Sequence, residues 1–176
     1  GVEDGLSNRR VYCIQKDKTG YMWFLTHEGI DRYNGKEFKR YKLMDGDAEV
    51  NSLLNLNWLY IDQEGVLWEI GKKGKVFRYD QIHDCFSLVY KLPMESFSEQ
   101  PDPVTYAWLD QNKHIWLCNK DTIFLYNTDT KQVTHIKNDI SEEITDIEQI
   151  DESHFFIGTE MGTVSYTHLT LPTIRL

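Results

Sequence analysis

The sequence VYCIQKDKTGYMWFLTHEGIDRYNGKEFKRY, residues 11–41, decides the fold. Four short runs rich in β-branched and aromatic residues are separated by turn residues such as Gly20, Asn34 and Gly35. β-Branched and aromatic side chains pack well on a pleated surface, while Gly, Asn and Asp tolerate tight turns. The pattern therefore predicts a small antiparallel sheet of four strands, at about 10–16, 21–26, 29–34 and 37–42.

The centre of this stretch recurs along the chain. In three copies an aspartate precedes a tryptophan by a fixed interval, with a glycine between them in the first two: Asp17, Gly20 and Trp23; Asp62, Gly65 and Trp68; Asp110 and Trp116. A shortened fourth copy, residues 151–159, has Phe156 in the tryptophan position. The aspartates and glycines are predicted to form tight hairpin turns between the first and second strands of each repeat. Lys113 replaces the glycine in the third copy, so that turn is expected to be less regular.

The repeat period of about 40 to 48 residues is typical of four-stranded propeller blades. The predicted fold class is all-β, a partial β-propeller of about three and a half four-stranded antiparallel blades. The blades are predicted at about 5–42, 51–90, 103–136 and 141–163, so residues 1–163 form an incomplete N-terminal propeller. Polar segments at 43–52, 92–103 and 137–143 are expected to be surface connectors.

Large aromatic side chains at one place in every repeat are expected to fill the gap between twisted sheets that stack face to face. The predicted repeat core is therefore Trp23, Trp68, Trp116 and Phe156, with Tyr33, Tyr79 and Tyr126 packed between blades.

The end of the chain departs from the repeat pattern. Residues 164–173 read VSYTHLTLPT and resemble the translation of a transposon-end adapter used in DNA sequencing libraries. Residues 164–176 are therefore expected to be adapter read-through rather than native sequence, and they are left out of functional reasoning. These residues are still suited to pairing as a strand, because they are rich in Thr, Tyr and Leu.

Composition and motifs exclude several functions. The formal net charge of −9 argues against a nucleic-acid partner, which needs clustered Lys and Arg. Three cysteines cannot form a complete disulfide framework, and Cys13 and Cys118 are expected to be small buried hydrophobes. The six histidines lack paired ligand spacing, so no metal is predicted, and no motif indicates a cofactor or a catalytic nucleophile.

Binding is the function that remains, and propellers bind ligands on the face ringed by loops, near the central channel. The candidate ligand-binding residues are Arg10, His27, Glu28, Trp58 and Trp108, with ordinary surface or core packing as the alternative for each.

The opening residues resemble the two-component regulator propeller repeat. The entry Asp4-Gly5-Leu6-Ser7, the centre from Asp17 to Thr26 and the exit from Gly29 to Gly35 all match its pattern. The resemblance weakens along the chain, where Leu25 replaces a small residue and Glu69-Ile70-Gly71 follows the second tryptophan.

The resemblance implies an extracytoplasmic, periplasmic sensor from an inner-membrane hybrid two-component regulator of Bacteroidetes. It implies an oligosaccharide signal, further propeller blades and downstream domains, and a dimeric histidine kinase in the parent protein. The fragment itself is expected to have no enzymatic activity. The alternatives are a propeller enzyme acting on polysaccharide and a propeller scaffold that binds other proteins.

Overall fold

The computed structural model describes residues 1–50, 56–93 and 102–167. In this part of the chain the structure is all-β, with seventeen strands and one short 3-10 turn at Val2–Asp4. The chain divides into two compact units, Gly1–Pro101 and Asp102–Leu176. Each unit contains two sheets of the propeller-blade type.

The first unit holds blades 1 and 2. Blade 1 is a four-stranded antiparallel sheet in chain order: β1 (Val11–Lys16), β2 (Met22–Thr26), β3 (Gly29–Tyr33) and β4 (Phe38–Tyr41). After the short strands β5 (Leu43–Asp45) and β6 (Ala48–Glu49), blade 2 comprises β7 (Leu56–Ile61), β8 (Leu67–Gly71), β9 (Lys75–Asp80) and β10 (Cys85–Lys91). The predicted start of blade 2, residue 51, lies outside the described residues, which resume at 56.

The segment predicted as a surface connector at 43–52 is partly sheet, which corrects that prediction. β5 pairs in parallel with β10, so Leu43 lies opposite Phe86, and β5 turns back into β6. Leu43 is buried because this pairing carries it into the core between the two blades. Polar composition concealed the pairing, since residues 45–49 are exposed as a connector should be.

The second unit holds blades 3 and 4. Blade 3 has the order β11 (Tyr106–Leu109), β12 (His114–Cys118), β13 (Thr122–Asn127) and β14 (Val133–Lys137). Blade 4 has three strands, β15 (Ile144–Gln149), β16 (His154–Thr159) and β17 (Gly162–Thr167). β17 therefore includes residues 164–167 of the expected adapter segment, which pair with β16.

An aspartate organises the turn between the first two strands of blades 1 to 3. In blade 1, Asp17 Oδ1 accepts the backbone N–H groups of Thr19 and Tyr21, and Oδ2 accepts the Trp23 indole N–H at 2.8 Å. Asp62 and Asp110 bind Trp68 and Trp116 in the same way, at 3.0 and 2.8 Å. One carboxylate thus closes the turn and fixes the ring of the tryptophan that follows.

The third turn keeps this geometry without a glycine. Asp110 Oδ1 accepts the N–H groups of Asn112 and His114, both at 2.8 Å. Lys113 adopts φ +64°, in the left-handed region where Gly20 and Gly65 stand at +92° and +89°. The expected irregularity is therefore confined to the strain of a non-glycine residue at positive φ, which costs about 1–2 kcal/mol.

The core of the first unit lies between blades 1 and 2. Trp23, Leu25 and Ile30 from blade 1 pack against Leu59, Leu67, Phe77 and Phe86 from blade 2. Tyr79 of blade 2 makes an edge contact with Trp23, with ring centroids 5.5 Å apart. Tyr33 is half-buried and stacks on Phe38 of its own blade at 4.7 Å.

The core of the second unit repeats this packing. Trp116 is buried and meets Phe155 of blade 4 with ring centroids 5.0 Å apart. Tyr126 is also buried, at 1% exposure. In both units the first strands of the neighbouring blades contact each other, β1 with β7 and β11 with β15.

Phe156 does not belong to this core, which corrects its predicted role. It pairs with Glu148 as Trp23 pairs with Gln15, so it does hold the tryptophan register, yet it is 46% exposed. The buried ring is Phe155, on the opposite face of β16. The face that carries Phe156 is exposed at Glu148 and His154 as well, so this register position lies on an uncovered sheet face.

Candidate functional site

The strand-entry edge of a blade is the edge where its first strand begins, its second strand turns into its third and its fourth strand ends. In blade 1 this edge is closed by the chain segment that precedes β1. Ser7 donates its N–H and its hydroxyl to Asp31 Oδ2, at 2.8 and 2.6 Å, and its hydroxyl also meets Thr26 Oγ1 at 2.9 Å. Asp31 is buried, so these contacts tie the entry motif to β3.

The structure brings three of the predicted ligand-binding residues together at this edge. His27 donates its N–H to the carbonyl oxygen of Arg10 at 3.0 Å. Glu28 accepts a hydrogen bond from Asn8 at 3.1 Å and lies 4.0 Å from Arg40. Arg10 and His27 are exposed and Glu28 is half-buried. The three therefore form a polar surface, held mainly by local contacts within blade 1.

The two predicted tryptophans lie within strands. Trp108, on β11, makes edge contacts with Trp116 at 5.7 Å and Phe155 at 5.9 Å, so it packs on the core of the second unit. Trp58, on β7, pairs with Ile70 across the sheet and is half-buried. Both tryptophans therefore lie within sheets, Trp58 in the first unit and Trp108 in the second.

A cavity of about 380 Å³ lies at the strand-entry edge of the second unit. It is bounded by the start of blade 3, the turn between β12 and β13, the end of β14 and the segment that leads into β15. Apolar atoms make up the larger part of its exposed wall, and polar and charged groups make up the rest. The lining residues are Asp102, Pro103, Thr105, Asn119, Lys120, Asn138, Ile140, Ser141, Glu142, Glu143 and Ile144. These residues lie in a polar connector and a turn, whose composition is that of ordinary surface.

Two asparagines shape the wall of this cavity. Asn119 Oδ1 accepts the N–H groups of Asp121 and Thr122, at 3.1 and 2.7 Å, which closes the turn between β12 and β13. Asn138 donates its Nδ2 to the carbonyl oxygen of Asn119 at 2.9 Å and accepts the N–H of Ile140 at 3.1 Å. Side chains fixed in this way give the cavity a preformed wall.

The charged groups around the cavity are held less tightly than its asparagines. Among the residues that the structure describes, the side chains of Asp102, Lys120, Glu142 and Glu143 make no hydrogen bond or ion pair. Three carboxylates and one ammonium group thus remain available to a ligand. The local charge is negative, as it is for the whole chain.

A buried carboxyl group lies in blade 2, on strand β8. Glu69 is fully buried, and neither of its carboxyl oxygens has a hydrogen-bond partner. Leu59 and Phe77 stand beside it on the neighbouring strands, so burial raises its pKa well above the ordinary value. The corresponding positions after the other tryptophans are apolar: Phe24, Leu117 and, after Phe156, Ile157. The sequence carried this signal, because Glu69 interrupts an apolar strand.

The cysteines and possible metal ligands offer no second site. Burial raises the pKa of the Cys118 thiol to about 12, and it also raises the pKa of Cys13. Both thiols are therefore protonated and unreactive near neutral pH. Within 1–50, 56–93 and 102–167, no group of three or more His, Cys, Asp or Glu side chains could hold a metal ion. No helix in those ranges is long and apolar enough to span a membrane.

Comparison with known proteins finds a family model that matches the start of the chain. Residues 5–28 match the model of the two-component regulator propeller family. No curated protein matches the chain in sequence.

Solved structures match over nearly the whole chain. The extracellular domain of the hybrid two-component system BT3049 from B. thetaiotaomicron has a TM-score of 0.70 at 24% identity, covering 96% of this chain and 26% of that one. The extracellular domain of BT4673 from the same organism gives 0.71 at 19% identity, covering 100% and 23%. PorZ, a surface component of the type-IX secretion system of Porphyromonas gingivalis, gives 0.54 at 11% identity, covering 88% and 19%. The chain therefore spans about a quarter of the length of the first two structures.

These observations define a class of protein. The chain is an all-β segment built of propeller blades, with the fold found in the extracellular domains of hybrid two-component systems. Residues 5–28, which lead into and form part of its first blade, match the model of the two-component regulator propeller.

Proposed function

We propose that this chain is part of an extracytoplasmic sensor in a hybrid two-component regulator. The observation that carries the proposal is the regulator propeller repeat at residues 5–28, joined to a fold shared with two such extracellular domains. In the proposed parent protein, further blades and downstream domains follow, and an inner membrane separates the sensor from a dimeric histidine kinase. The segment itself acts in binding and relay, not in catalysis.

The blades suit a relay because each is braced internally and against its neighbour. The carboxylates of Asp17 and Asp62 lock a turn and a tryptophan ring, and the ring of Trp23 fills the space between blades 1 and 2. A ligand that favours one packing of such stiff sheets over another shifts the balance between two states of the whole sensor. The proposed signal is an oligosaccharide bound at a strand-entry edge of one of the units.

The test uses the complete extracytoplasmic region of the parent protein. Isothermal calorimetry and thermal melting are measured against a panel of plant and host oligosaccharides, and kinase autophosphorylation is measured with the intact protein in vesicles. A saccharide that binds, raises the melting temperature and changes autophosphorylation supports the proposal. Binding to no saccharide refutes the oligosaccharide signal, while turnover of a glycan would favour the polysaccharide-active enzyme.

A further inference from the structure

We infer that the cavity of the second unit binds an uncharged saccharide of one or two rings. This inference rests on the proposed sensor function and adds to it the place and the charge of the ligand. The cavity lies within residues 102–144, so it is formed entirely by one unit of the chain.

Asn119 leaves one hydrogen-bond donor unused in the fixed wall of the cavity. Asn119 as a whole is 8% exposed, and its Oδ1 already accepts two backbone N–H groups. Its Nδ2 donates to no other described residue, although the residue lines the cavity. A nearly buried amide with a spare N–H₂ group offers a ligand oxygen a partner whose orientation is already set.

The groups around that amide suit the hydroxyl groups and the C–H face of a sugar. The carboxylates of Glu142 and Glu143 accept hydrogen bonds from hydroxyl groups, and the Lys120 ammonium donates to ring and hydroxyl oxygens. Ile140 and Ile144 add an apolar patch that can meet the C–H face of a sugar ring. A polyol needs this mixture of acceptors, donors and aliphatic surface.

The charge around the cavity disfavours an anionic ligand. Asp102, Glu142 and Glu143 place three carboxylates around the cavity against the single ammonium of Lys120. A carboxylated or sulfated saccharide would bring like charge close to these groups, which disfavours binding. A metal ion does not account for the acids, because no described group of three such side chains could hold one. Uncharged saccharides are therefore favoured.

The volume of the cavity suits a small ligand. Small-molecule sites measure about 300–1,000 Å³, so a cavity of about 380 Å³ lies at the small end of this range. It suits a mono- or disaccharide, or the terminal rings of a longer oligosaccharide that extends from the open side.

The experiment titrates the 15N-labelled 176-residue chain with named disaccharides and follows backbone amide shifts. The neutral probes are maltose, cellobiose and lactose, and the anionic probe is digalacturonic acid. The test variant is Glu142→Gln with Glu143→Gln. The control is Glu148→Gln with Glu152→Gln, two exposed acids of blade 4 whose replacement changes the net charge equally. Shift changes at Asn119, Lys120 and 141–144 report on the cavity.

The expected result is a neutral disaccharide that shifts the cavity amides, with digalacturonic acid binding at least about 10-fold more weakly. The test variant should then lose about 10-fold in affinity, and the control should match the unmodified chain. Amide shifts confined to Arg10, His27 and Glu28, or no amide shift with any probe, would overturn the cavity site. The sensor proposal would then still be decided by the separate experiment on the complete extracytoplasmic region. Tighter binding of digalacturonic acid at the cavity would overturn the inferred charge selectivity.

Discussion

Glu69 provides the sharpest test of how blade 2 is built. Its carboxyl group is buried between Leu59 and Phe77 on the face that packs against blade 1, and it has no hydrogen-bond partner. Replacing it with leucine, the residue at the corresponding position of blade 3, removes this buried polar group. A buried, unsatisfied polar group costs about 1–3 kcal/mol, so Glu69→Leu should raise the free energy of unfolding by about that amount.

The stability gained by Glu69→Leu should be larger at high pH than at low pH. Burial holds the pKa of folded Glu69 well above its ordinary value of 4.5. The folded state therefore binds the proton more tightly than the unfolded state, and stability falls as pH rises above 4.5 towards the folded pKa. Neither Glu69→Leu nor Glu69→Gln can titrate, so both variants should lose this part of the pH dependence. Glu69→Gln should gain less overall, because its amide remains buried without partners.

The assay is thermal unfolding of the full chain followed by near-UV circular dichroism at pH 5 and pH 8. For a unit of about 100 residues, 1 kcal/mol corresponds to about 4–8 °C in Tm. Glu69→Leu should therefore melt at least about 4 °C above the unmodified chain, with the larger difference at pH 8. Glu37→Gln, at an exposed turn position, serves as control and should not change Tm. A lower Tm for Glu69→Leu, or a difference that is the same at both pH values, would refute the reasoning.

Three further predictions follow from the repeats. Asp62→Ala should lower the free energy of unfolding by about 2–3 kcal/mol in urea denaturation, because it removes two turn bonds and the Trp68 indole acceptor, whereas Asp62→Asn should lose less. A loss below 0.5 kcal/mol for the alanine variant would contradict this. Phe155→Ala should lower the free energy of unfolding by about 3–5 kcal/mol in the same assay, and Phe156→Ala by less than about 1 kcal/mol, because only the ring of Phe155 is buried. Equal losses for the two variants would show that the buried and exposed faces of β16 are misassigned. Residues 1–163 alone should aggregate or dimerise in light scattering after size exclusion, because the truncation removes residues 164–167 of β17 and leaves the edge of β16 unpaired. A monodisperse monomer with cooperative melting would count against this.

Much of the fold follows from the spacing of a few residues. The interval between Asp17 and Trp23 recurs in the next two blades, and its cause is physical, because one carboxylate must reach both the turn N–H groups and the indole. The all-β class and the antiparallel order of blades 1 and 3 could be predicted from this interval and the alternation around it. The chain order alone could not predict β5, because its parallel partner β10 lies some 40 residues away in the sequence and leaves no local signal.

The candidate site was less predictable. Arg10, His27 and Glu28 could be grouped because hairpin geometry brings the start of β1 beside the turn after β2. The cavity of the second unit depends on four separate segments, and its key side chain, Asn119, has the composition of an ordinary turn. Phe156 shows why burial is harder to predict than register. The strand register predicts which face of the sheet the ring lies on, but its burial depends on what packs against that face.

Hydrogen exchange of the tryptophan indole protons tests the central claim most directly. In the structure, the rings of Trp23, Trp68 and Trp116 are buried, and each is hydrogen-bonded to an aspartate at one repeated position. Their indole N–H signals in NMR spectra should exchange with deuterium at least about 100-fold more slowly than those of free tryptophan. Rapid exchange at any of the three would contradict the repeated Asp–Trp blade.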